Sequence, residues 1–155
     1  MEVRRATVAD ARAIADVHVR TWQAAYEHIF GAERLAGLDV DRRASGWERR
    51  LGEGWATFVA EKDGLVLGFV SVGEGELDAI YVLPEAWGSS AGGALLSAAV
   101  GALRAAGNEE AVLWVLEDNP RARRFYEREG WRADGGREGE HLGVRTAEVR
   151  YRIDL

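Results

Sequence analysis

The spacing of apolar residues in the first third of the chain predicts one strand and then helices. Val3–Ala6 is a short strand candidate, and Thr7–Asp10 has the form of a capping box, which begins a helix. Glu33–Leu51 also keeps a helical period. Gly37 and Gly46 interrupt that period, so we expect one short irregular helix or a pair of helices. The apolar face of the first predicted helix consists of Ala11, Ile14, Ala15, His18 and Trp22.

The middle of the chain changes to the two-residue period of strands. Trp55–Glu61 and Leu65–Val72 alternate apolar and polar residues on either side of a turn at Lys62–Gly64. A second turn at Glu74–Gly75 leads into a third apolar run, Glu76–Leu83. Short turns between successive strands predict an antiparallel meander.

A long helix rich in alanine and leucine separates this meander from a further strand. The helix is expected to run to about Ala106, and Ala111–Leu116 is apolar on both faces, which is typical of a strand covered by helices on both sides. The order strand, helix, strand predicts a parallel, right-handed crossover. The predicted buried stripe of the helix is Ala91, Ala94, Leu95, Ala98, Ala102 and Leu103.

The C-terminal segment predicts a helix, a loop and a last strand. Asn119–Pro120 combines an N-cap residue with proline at the first helical position, which begins a helix over Arg121–Glu129. Trp131–Ala133 is expected to be a short strand, and Asp134–Gly143 a polar, glycine-rich loop. Alternation over Val149–Leu155 predicts the final strand.

Composition limits the classes of function. A chain of 155 residues with 47% hydrophobic content suits a single domain, residues 1–155. A net charge of −6 argues against a nucleic-acid partner. The absence of cysteine excludes disulfides and a cysteine nucleophile and suits the cytoplasm, and three scattered histidines predict no metal site. Ala86–Leu103 is rich in Gly, Ser and Ala, so we expect no membrane segment.

The loop before the long helix favours an anion. The segment Trp87–Gly93 reads WGSSAGG and opens directly into the helix, where the first N–H groups have no partner within the helix and the helix dipole is positive. It lacks the GK[ST] ending of a nucleoside-triphosphate loop, and it comes too late in the chain for a dinucleotide fold. Alone, such a loop is equally a plain helix start, but its context after a strand predicts a diphosphate on a longer cofactor.

The order of elements, together with the segments VLPEAWGSSAGGALL and NPRARRFYEREGW, resembles the GNAT superfamily of acyl-CoA-dependent N-acyltransferases over essentially the whole chain. The resemblance implies an α+β (α/β) three-layer fold, in which a mixed central sheet with an antiparallel N-terminal meander and a parallel, splayed strand pair is flanked by helices. It also implies acetyl-CoA as the cofactor. The family's loop pattern has Arg or Gln, then Gly, then Gly or Ala at positions that correspond here to Trp87, Ser90 and Gly92.

The resemblance also implies which residues bind CoA. Loop amides hold the pyrophosphate, and the preceding strand bulges so that its free backbone groups meet the pantetheine arm and polarise the thioester carbonyl. For the strand residues, a role in the sheet core is an equally good interpretation. Arg123 and Arg124 are candidates for binding the 3′-phosphate, but charged residues on a short helix are usually just exposed to solvent. The implied cofactor-binding residues are Ile80, Tyr81, Val82, Trp87, Gly88, Ser89, Ser90, Ala91, Gly92, Gly93, Asn119 and Arg123.

Tyr126 matches the family's general acid, which protonates the departing thiolate. A phenol keeps its proton at neutral pH and can therefore donate it to sulfur. The residues alone favour a packing role for Tyr126 and a capping role for Asn119. A proton acceptor is also needed, because an ammonium must lose a proton before its nitrogen attacks. Glu76 and Asp78 are candidates, two residues apart on a strand and so on one face unless a bulge intervenes; an exposed acid pair near a turn is the alternative.

Trp22, Tyr26 and Phe30 lie four residues apart, on one helical face. The Trp-x-x-Ala-Tyr pattern resembles one in a bacterial branch of the family, which implies that Trp22 and Tyr26 line the acceptor pocket, with core packing as the alternative. We therefore expect an N-acetyltransferase that moves the acetyl group of acetyl-CoA to a small-molecule or peptide primary amine by direct attack. A non-catalytic acyl-CoA-binding or protein-interaction module is the alternative. The acceptor's identity and homodimer formation stay open.

Overall fold

In the computed structural model, which describes residues 1–155, the first four strands form an antiparallel sheet. Its strands are neighbours in sequence order: β1 (Glu2–Arg5), β2 (Ala56–Lys62), β3 (Leu65–Val72) and β4 (Leu77–Val82). The β2–β3 turn places Asp63 and Gly64 at φ of 53° and 78°, the pair of positive angles that a tight two-residue hairpin requires. The predicted meander is confirmed.

Helices between β1 and β2 cover one face of this sheet. They follow a single 3₁₀ turn, Val8–Asp10, in which the Thr7 N–H donates to the Asp10 carboxylate at 2.8 Å, as the capping-box pattern predicts. A buried cluster that includes Ile14, Trp47 and Phe69 joins these helices to the sheet. The helices are α1 (Ala11–Ala25), α2 (Glu27–Phe30), α3 (Ala32–Ala36) and α4 (Val40–Gly52).

The predicted interruption of the helical segment is right at one glycine and wrong at the other. Gly37 lies between α3 and α4, whereas Gly46 lies inside α4. A glycine inside a helix costs about 1 kcal/mol relative to alanine. Burial of Ala44 and Trp47 on the same helix offsets that cost, so α4 runs through Gly46.

The remaining strands form a second, three-stranded antiparallel sheet. The connecting helix α5 (Ala91–Ala105) leads to β5 (Glu110–Leu116), and α6 (Pro120–Arg128) leads to the last two strands, β6 (Arg132–His141) and β7 (Val144–Asp154). The strand order is β5-β7-β6. One parallel bridge, Glu76 to Val112, joins the two sheets. Beyond that point β4 and β5 share no ladder, so the predicted parallel pair is splayed along most of its length.

Helix α5 packs on the four-stranded sheet, on the face opposite to α1 and α4. Leu95, Leu103, Leu113 and Tyr151 share one buried cluster, which completes the predicted three layers. The buried stripe of α5 is rotated from the predicted one, because Leu96 and Ala99 are buried while Ala94, Ala98 and Ala102 are only partly buried. On a helix with alanine on every face, apolar character alone does not define the buried side.

The predicted loop at Asp134–Gly143 is wrong, because this segment forms most of β6. It pairs with β7 from Arg132 through His141, around a two-residue turn at Leu142 and Gly143 with φ of 50° and 77°. Strand β6 is an exposed edge strand, so no apolar alternation marks it in the sequence. The strand conformation of β6 is stabilised by backbone pairing with β7 and by ion pairs across the hairpin, such as Arg137–Glu148. No helix of the chain has the length and apolar content that crossing a bilayer requires.

Candidate active site

The divergence of β4 from β5 opens a cavity of about 1020 Å³, at the upper end of the usual size for ligand sites. Its walls come from both strands, the loop before α5, helix α6, helix α1 and the β6–β7 hairpin. The lining includes these predicted site residues: Trp22, Tyr26, Glu76, Asp78, Ile80, Tyr81, Val82, Trp87, Gly88, Ser89, Ser90, Gly92, Gly93, Asn119 and Tyr126.

Strand β4 presents a free backbone edge to this cavity. The Leu83 N–H donates to the Leu67 carbonyl at 2.8 Å, and the same register continues to Tyr81. Hydrogen-bonded and non-hydrogen-bonded pairs alternate in an antiparallel ladder. The N–H groups of Ile80 and Val82 therefore point away from β3 and toward the cavity.

The glycine-rich loop reaches the helix without strain. Gly88 has φ of +81°, which favours glycine, whereas Ser90, at the family's glycine position, has a right-handed φ of −77° that any residue adopts. The first turn of α5 holds no acidic residue, so its positive end is not neutralised. Ala91 is fully buried and does not line the cavity, and its N–H donates to the Ser89 hydroxyl at 3.2 Å.

The cation beside the loop is Arg121 and not Arg123. The Arg123 Nε donates to the Tyr151 hydroxyl at 3.1 Å, away from the cavity. Arg121 lines the cavity and lies over the Trp87 ring, 3.5 Å from its centroid. Burial lowers the pKa of Arg121, and no carboxylate contributes to its environment. The sequence signal for Arg121 is its place directly after Pro120, in the first turn of α6.

Trp87 makes a hydrogen bond to the free edge of β4. Its indole Nε1 donates to the Val82 carbonyl at 2.8 Å, and the Thr21 hydroxyl donates to the same oxygen at 3.3 Å. The Val82 carbonyl is therefore already satisfied by the chain, while the N–H groups of β4 are not. Among the missed lining residues, Thr21 is one whose helical position gave no polar signal.

Tyr126 offers a free, buried hydroxyl. Only 7% of the residue is exposed, and its ring packs beside Phe125, Trp131 and Tyr151. Its hydroxyl makes no hydrogen bond within the chain and lines the cavity. Burial raises the pKa of Tyr126, so the phenol keeps its proton and can donate it to a group in the cavity.

Asn119 connects α6 to the aromatic wall of α1 and α2. Its Oδ1 accepts the Ala122 N–H at 3.2 Å, so the predicted N-cap is present, and its Nδ2 donates to the buried Tyr26 hydroxyl at 3.1 Å. Trp22 contacts Tyr26 edge to face at 5.0 Å and stacks on Phe30 at 5.5 Å. Both predicted acceptor residues line the cavity while they also pack in this aromatic cluster.

The two predicted acids have different surroundings. Arg50 Nη2 donates to the Asp78 carboxylate at 2.6 Å, and the Arg50 guanidinium also lies over Trp47 and Trp55. The register of β3 and β4 shifts at Asp78, which forms a bulge. Glu76 forms no ion pair, so it is the less neutralised of the two acids.

Polar residues of the β6–β7 hairpin form a wall that the sequence analysis missed. Arg137 Nε donates to Glu148 at 2.7 Å, and His141 Nε2 lies 3.1 Å from the other carboxylate oxygen. Burial disfavours the ionised carboxylate, but these two partners outweigh that effect and lower the pKa of Glu148. The available signal was that Arg137 and Glu148 have opposite charges and are equidistant from the turn at Leu142–Gly143.

Comparison with known proteins agrees with this geometry. The model of the Acetyltransferase (GNAT) family matches residues 13–131. The uncharacterized N-acetyltransferase YuaI of Bacillus subtilis (strain 168) is 36% identical over 128 residues, which cover 76% of this chain and 73% of that protein.

Solved structures show the same fold. A GCN5-related N-acetyltransferase from Rhodopseudomonas palustris superposes with a TM-score of 0.84 at 23% identity, over 99% of this chain and 95% of that one. The PaiA N-acetyltransferase from Thermoplasma acidophilum, solved in complex with coenzyme A, gives 0.79 at 18% identity, over 99% and 98%. The family match over most of the sequence, the relative at 36% identity and the cavity between splayed strands lead to one conclusion: the chain belongs to the GNAT family of acetyltransferases.

Proposed function

We propose that this chain transfers the acetyl group of acetyl-CoA to a primary amine by direct attack of the amine nitrogen. The observation that carries the proposal is the content of one cavity. It combines the unpaired N–H groups of β4, an uncompensated helix start at α5 and the free hydroxyl of Tyr126. These are the groups that a thioester with a diphosphate needs for binding, polarisation and protonation.

The N–H groups of Gly88, Ser90, Gly92 and Gly93 are placed to bind the pyrophosphate, whereas those of Ser89 and Ala91 already donate within the loop region. Their amides lie at the start of α5, where no acidic side chain competes. Arg121, without a carboxylate partner, adds a positive charge to the same wall. Arg123, a candidate for the 3′-phosphate, lies outside this cavity. Ile80 and Val82 bind the pantetheine arm through their N–H groups, as an edge strand binds an added strand.

The side chains around the thioester divide the chemistry between them. An N–H group of β4 polarises the thioester carbonyl, and Tyr126 donates a proton to the departing sulfur. Asp78 is held by Arg50, so Glu76 is the less neutralised of the two acids predicted from the sequence. The chain has no cysteine, so the amine attacks the bound thioester without an enzyme thioester.

Trp22 and Tyr26 form the acceptor wall in this proposal. The half-buried Trp22 presents an aromatic surface to the cavity, and an ammonium group binds such a surface through a cation–π interaction. This chemistry suits a small-molecule or peptide amine. Polyamines, amino acids, aminoglycosides and peptide N-termini all carry such an amine.

The test is calorimetric titration of the chain with acetyl-CoA and with CoA, followed by release of CoA with four amines. Spermidine, L-lysine, kanamycin and a peptide with a free N-terminal alanine represent the four acceptor classes. We expect binding of both nucleotides and amine-dependent CoA release with at least one acceptor. No binding at millimolar acetyl-CoA would contradict the proposal.

A non-catalytic acyl-CoA-binding or protein-interaction module is the second candidate. The observation that favours it is Trp87, which stands at the position where the family has Arg or Gln. Its indole N–H donates to the Val82 carbonyl at the edge of β4. The same two measurements separate the candidates. A binding module would take up acetyl-CoA in the calorimeter and release no CoA with any of the four amines.

A further inference from the structure

The hairpin wall of the cavity carries a histidine–carboxylate pair outside the sequence-predicted acids. His141 and Glu148 face the cavity from β6 and β7, and Trp22 of α1 contacts the histidine ring edge to face at 5.9 Å. The inference drawn from this pair rests on the proposed function. It concerns the step in which the acceptor ammonium loses its proton.

The carboxylate of Glu148 is enclosed and held on both oxygens. Its side chain is 8% exposed, with Arg137 Nε at 2.7 Å from one oxygen and His141 Nε2 at 3.1 Å from the other. Gly139 leaves room for it, because a Cβ at that position would lie 2.8 Å from Glu148 Oε2. The absence of a side chain at Gly139 therefore lets the Glu148 carboxylate lie close against the backbone of β6.

This hydrogen bond fixes the histidine tautomer. An ionised carboxylate only accepts hydrogen bonds, so Nε2 carries the proton and Nδ1 keeps a free lone pair. Nδ1 makes no hydrogen bond within the chain, and the ring is partly exposed, at 35% of its side-chain surface. His141 is therefore an oriented and vacant proton acceptor on the cavity wall.

The pair lies on the acceptor side of the cavity. Glu76 bridges to Val112, near the start of β5, whereas Glu148 pairs with Leu116, at its end. Four residues of strand separate these positions by about 13 Å. Leu116 packs in the same cluster as Tyr26, so Glu148 belongs to the wall proposed to receive the amine.

We propose that His141 removes the proton from the acceptor ammonium and that Glu148 is a positioning residue for it. The N–H bond breaks and its proton passes to Nδ1. The nitrogen lone pair then forms the N–C bond to the thioester carbonyl, and the C–S electron pair leaves with sulfur, which takes the Tyr126 proton. The second nitrogen proton restores Tyr126 through solvent, and His141 returns its proton to solvent.

Three elements set the charge around His141. His141 Nε2 lies 3.1 Å from the Glu148 carboxylate of β7, Arg137 of β6 donates to the other oxygen of that carboxylate, and α1 presents the uncharged indole of Trp22. Arg137 is itself spread over the Trp114 ring, 3.8 Å from its centroid. The carboxylate is thus the charged group in direct contact with the histidine ring.

The experiment compares His141→Gln and Glu148→Gln, using the fastest of the four amines. At pH 7 we expect kcat/KM to fall about 100-fold in His141→Gln and about tenfold in Glu148→Gln. The His141→Gln defect shrinks as the pH approaches the pKa of the amine, which then loses its proton unaided. The matched control is His28→Gln, outside the cavity, where Nε2 lies 3.0 Å from the Asp118 carbonyl; it leaves kcat/KM and its pH profile unchanged.

A His141→Gln variant with the wild-type pH profile would overturn the proposal, even if its rate were lower. Calorimetry keeps this result separate from the proposed function, because all three variants are expected to bind acetyl-CoA as wild type does. A second measurement needs no turnover. Imidazole nitrogen chemical shifts of the ¹⁵N-labelled chain with acetyl-CoA should show the neutral His141 ring protonated at Nε2, and a neutral ring protonated at Nδ1 would overturn the proposal.

Discussion

At the residue scale, His18 is a polar ring enclosed by aromatic ones. It stacks on Tyr81 at 5.0 Å and contacts Trp47 and Phe69 at 6.3 and 6.1 Å, and its Nδ1 is buried without a partner. Burial lowers the pKa of His18 to about 3. The ring is therefore neutral in the folded protein at every pH at which enzymes of this kind are assayed.

This burial makes folding stability depend on pH. Between pH 6.5 and about 3 the unfolded chain binds a proton at His18 that the folded chain does not, so stability falls as the pH falls. The loss approaches about 1.4 kcal/mol per pH unit. Urea unfolding at about pH 5.5 and 4.5 should show this loss in wild type and not in His18→Phe. His28→Gln is the control and should keep the wild-type slope; equal slopes in wild type and His18→Phe would contradict the prediction.

For Tyr126, the expected effect of a substitution is on kcat and not on stability. Tyr126→Phe keeps the ring in its cluster and removes a hydroxyl that has no partner in the chain, so we expect a kcat about 100-fold lower with an unchanged affinity for acetyl-CoA. Tyr151→Phe is the matched control, because its hydroxyl bonds to Arg123 and Glu127. That variant should lose about 1 kcal/mol of stability and keep its kcat. An unchanged kcat in Tyr126→Phe would remove the proposed role.

At the element scale, Gly46 is a position at which a substitution should make helix α4 more stable. A Cβ at this position meets no atom within 4 Å, and alanine favours a helix interior, so Gly46→Ala should raise the free energy of unfolding by about 0.5–1 kcal/mol. Gly64→Ala is the contrast, because Gly64 has φ of +78° in the β2–β3 turn and should lose stability. Chemical denaturation measures both, and a destabilised Gly46→Ala would show that α4 does bend there.

Elements with local signals were predictable from the sequence, and those defined by their partners were not. The capping box at Thr7, the Asn119–Pro120 helix start and the strand β3 follow from neighbouring residues alone. Strand β6 carries mostly Gly, Arg and Glu and takes its conformation from β7. No period within its own sequence indicates a strand, so the hairpin and its wall of the cavity were missed.

The candidate site divides in the same way. Tyr126 and the loop from Gly88, which line the cavity, could be proposed because they lie in short continuous segments with a recognisable pattern. Which arginine of α6 lines the cavity depends on the rotation of that helix, and the neutralisation of Asp78 depends on Arg50, which is far away in sequence. Tertiary contacts decide both, and the spacing of residues along one element does not contain them.

At the scale of the whole molecule, the two sheets are weakly joined on the cavity side. One bridge at Glu76 and Val112 connects them, and the Val112 N–H donates to the Gly75 carbonyl at 3.1 Å. Beyond this point no backbone ladder crosses the gap between β4 and β5. A ligand that binds both strands would add contacts where the chain has none, and it would stabilise the fold by about 2.7 kcal/mol at a hundred times its Kd.

Hydrogen exchange can locate that added contact. CoA along β4 should slow exchange most at the N–H groups of Ile80 and Val82, which face the cavity. Ala79 and Tyr81 are the internal controls, since the alternation of the ladder directs their N–H groups to β3. We expect at least about tenfold extra slowing at the first pair, beyond the general stabilisation that all four amides share. Equal slowing of all four would mean that CoA stabilises the fold without lying on this strand edge, and the pantetheine placement would then be wrong.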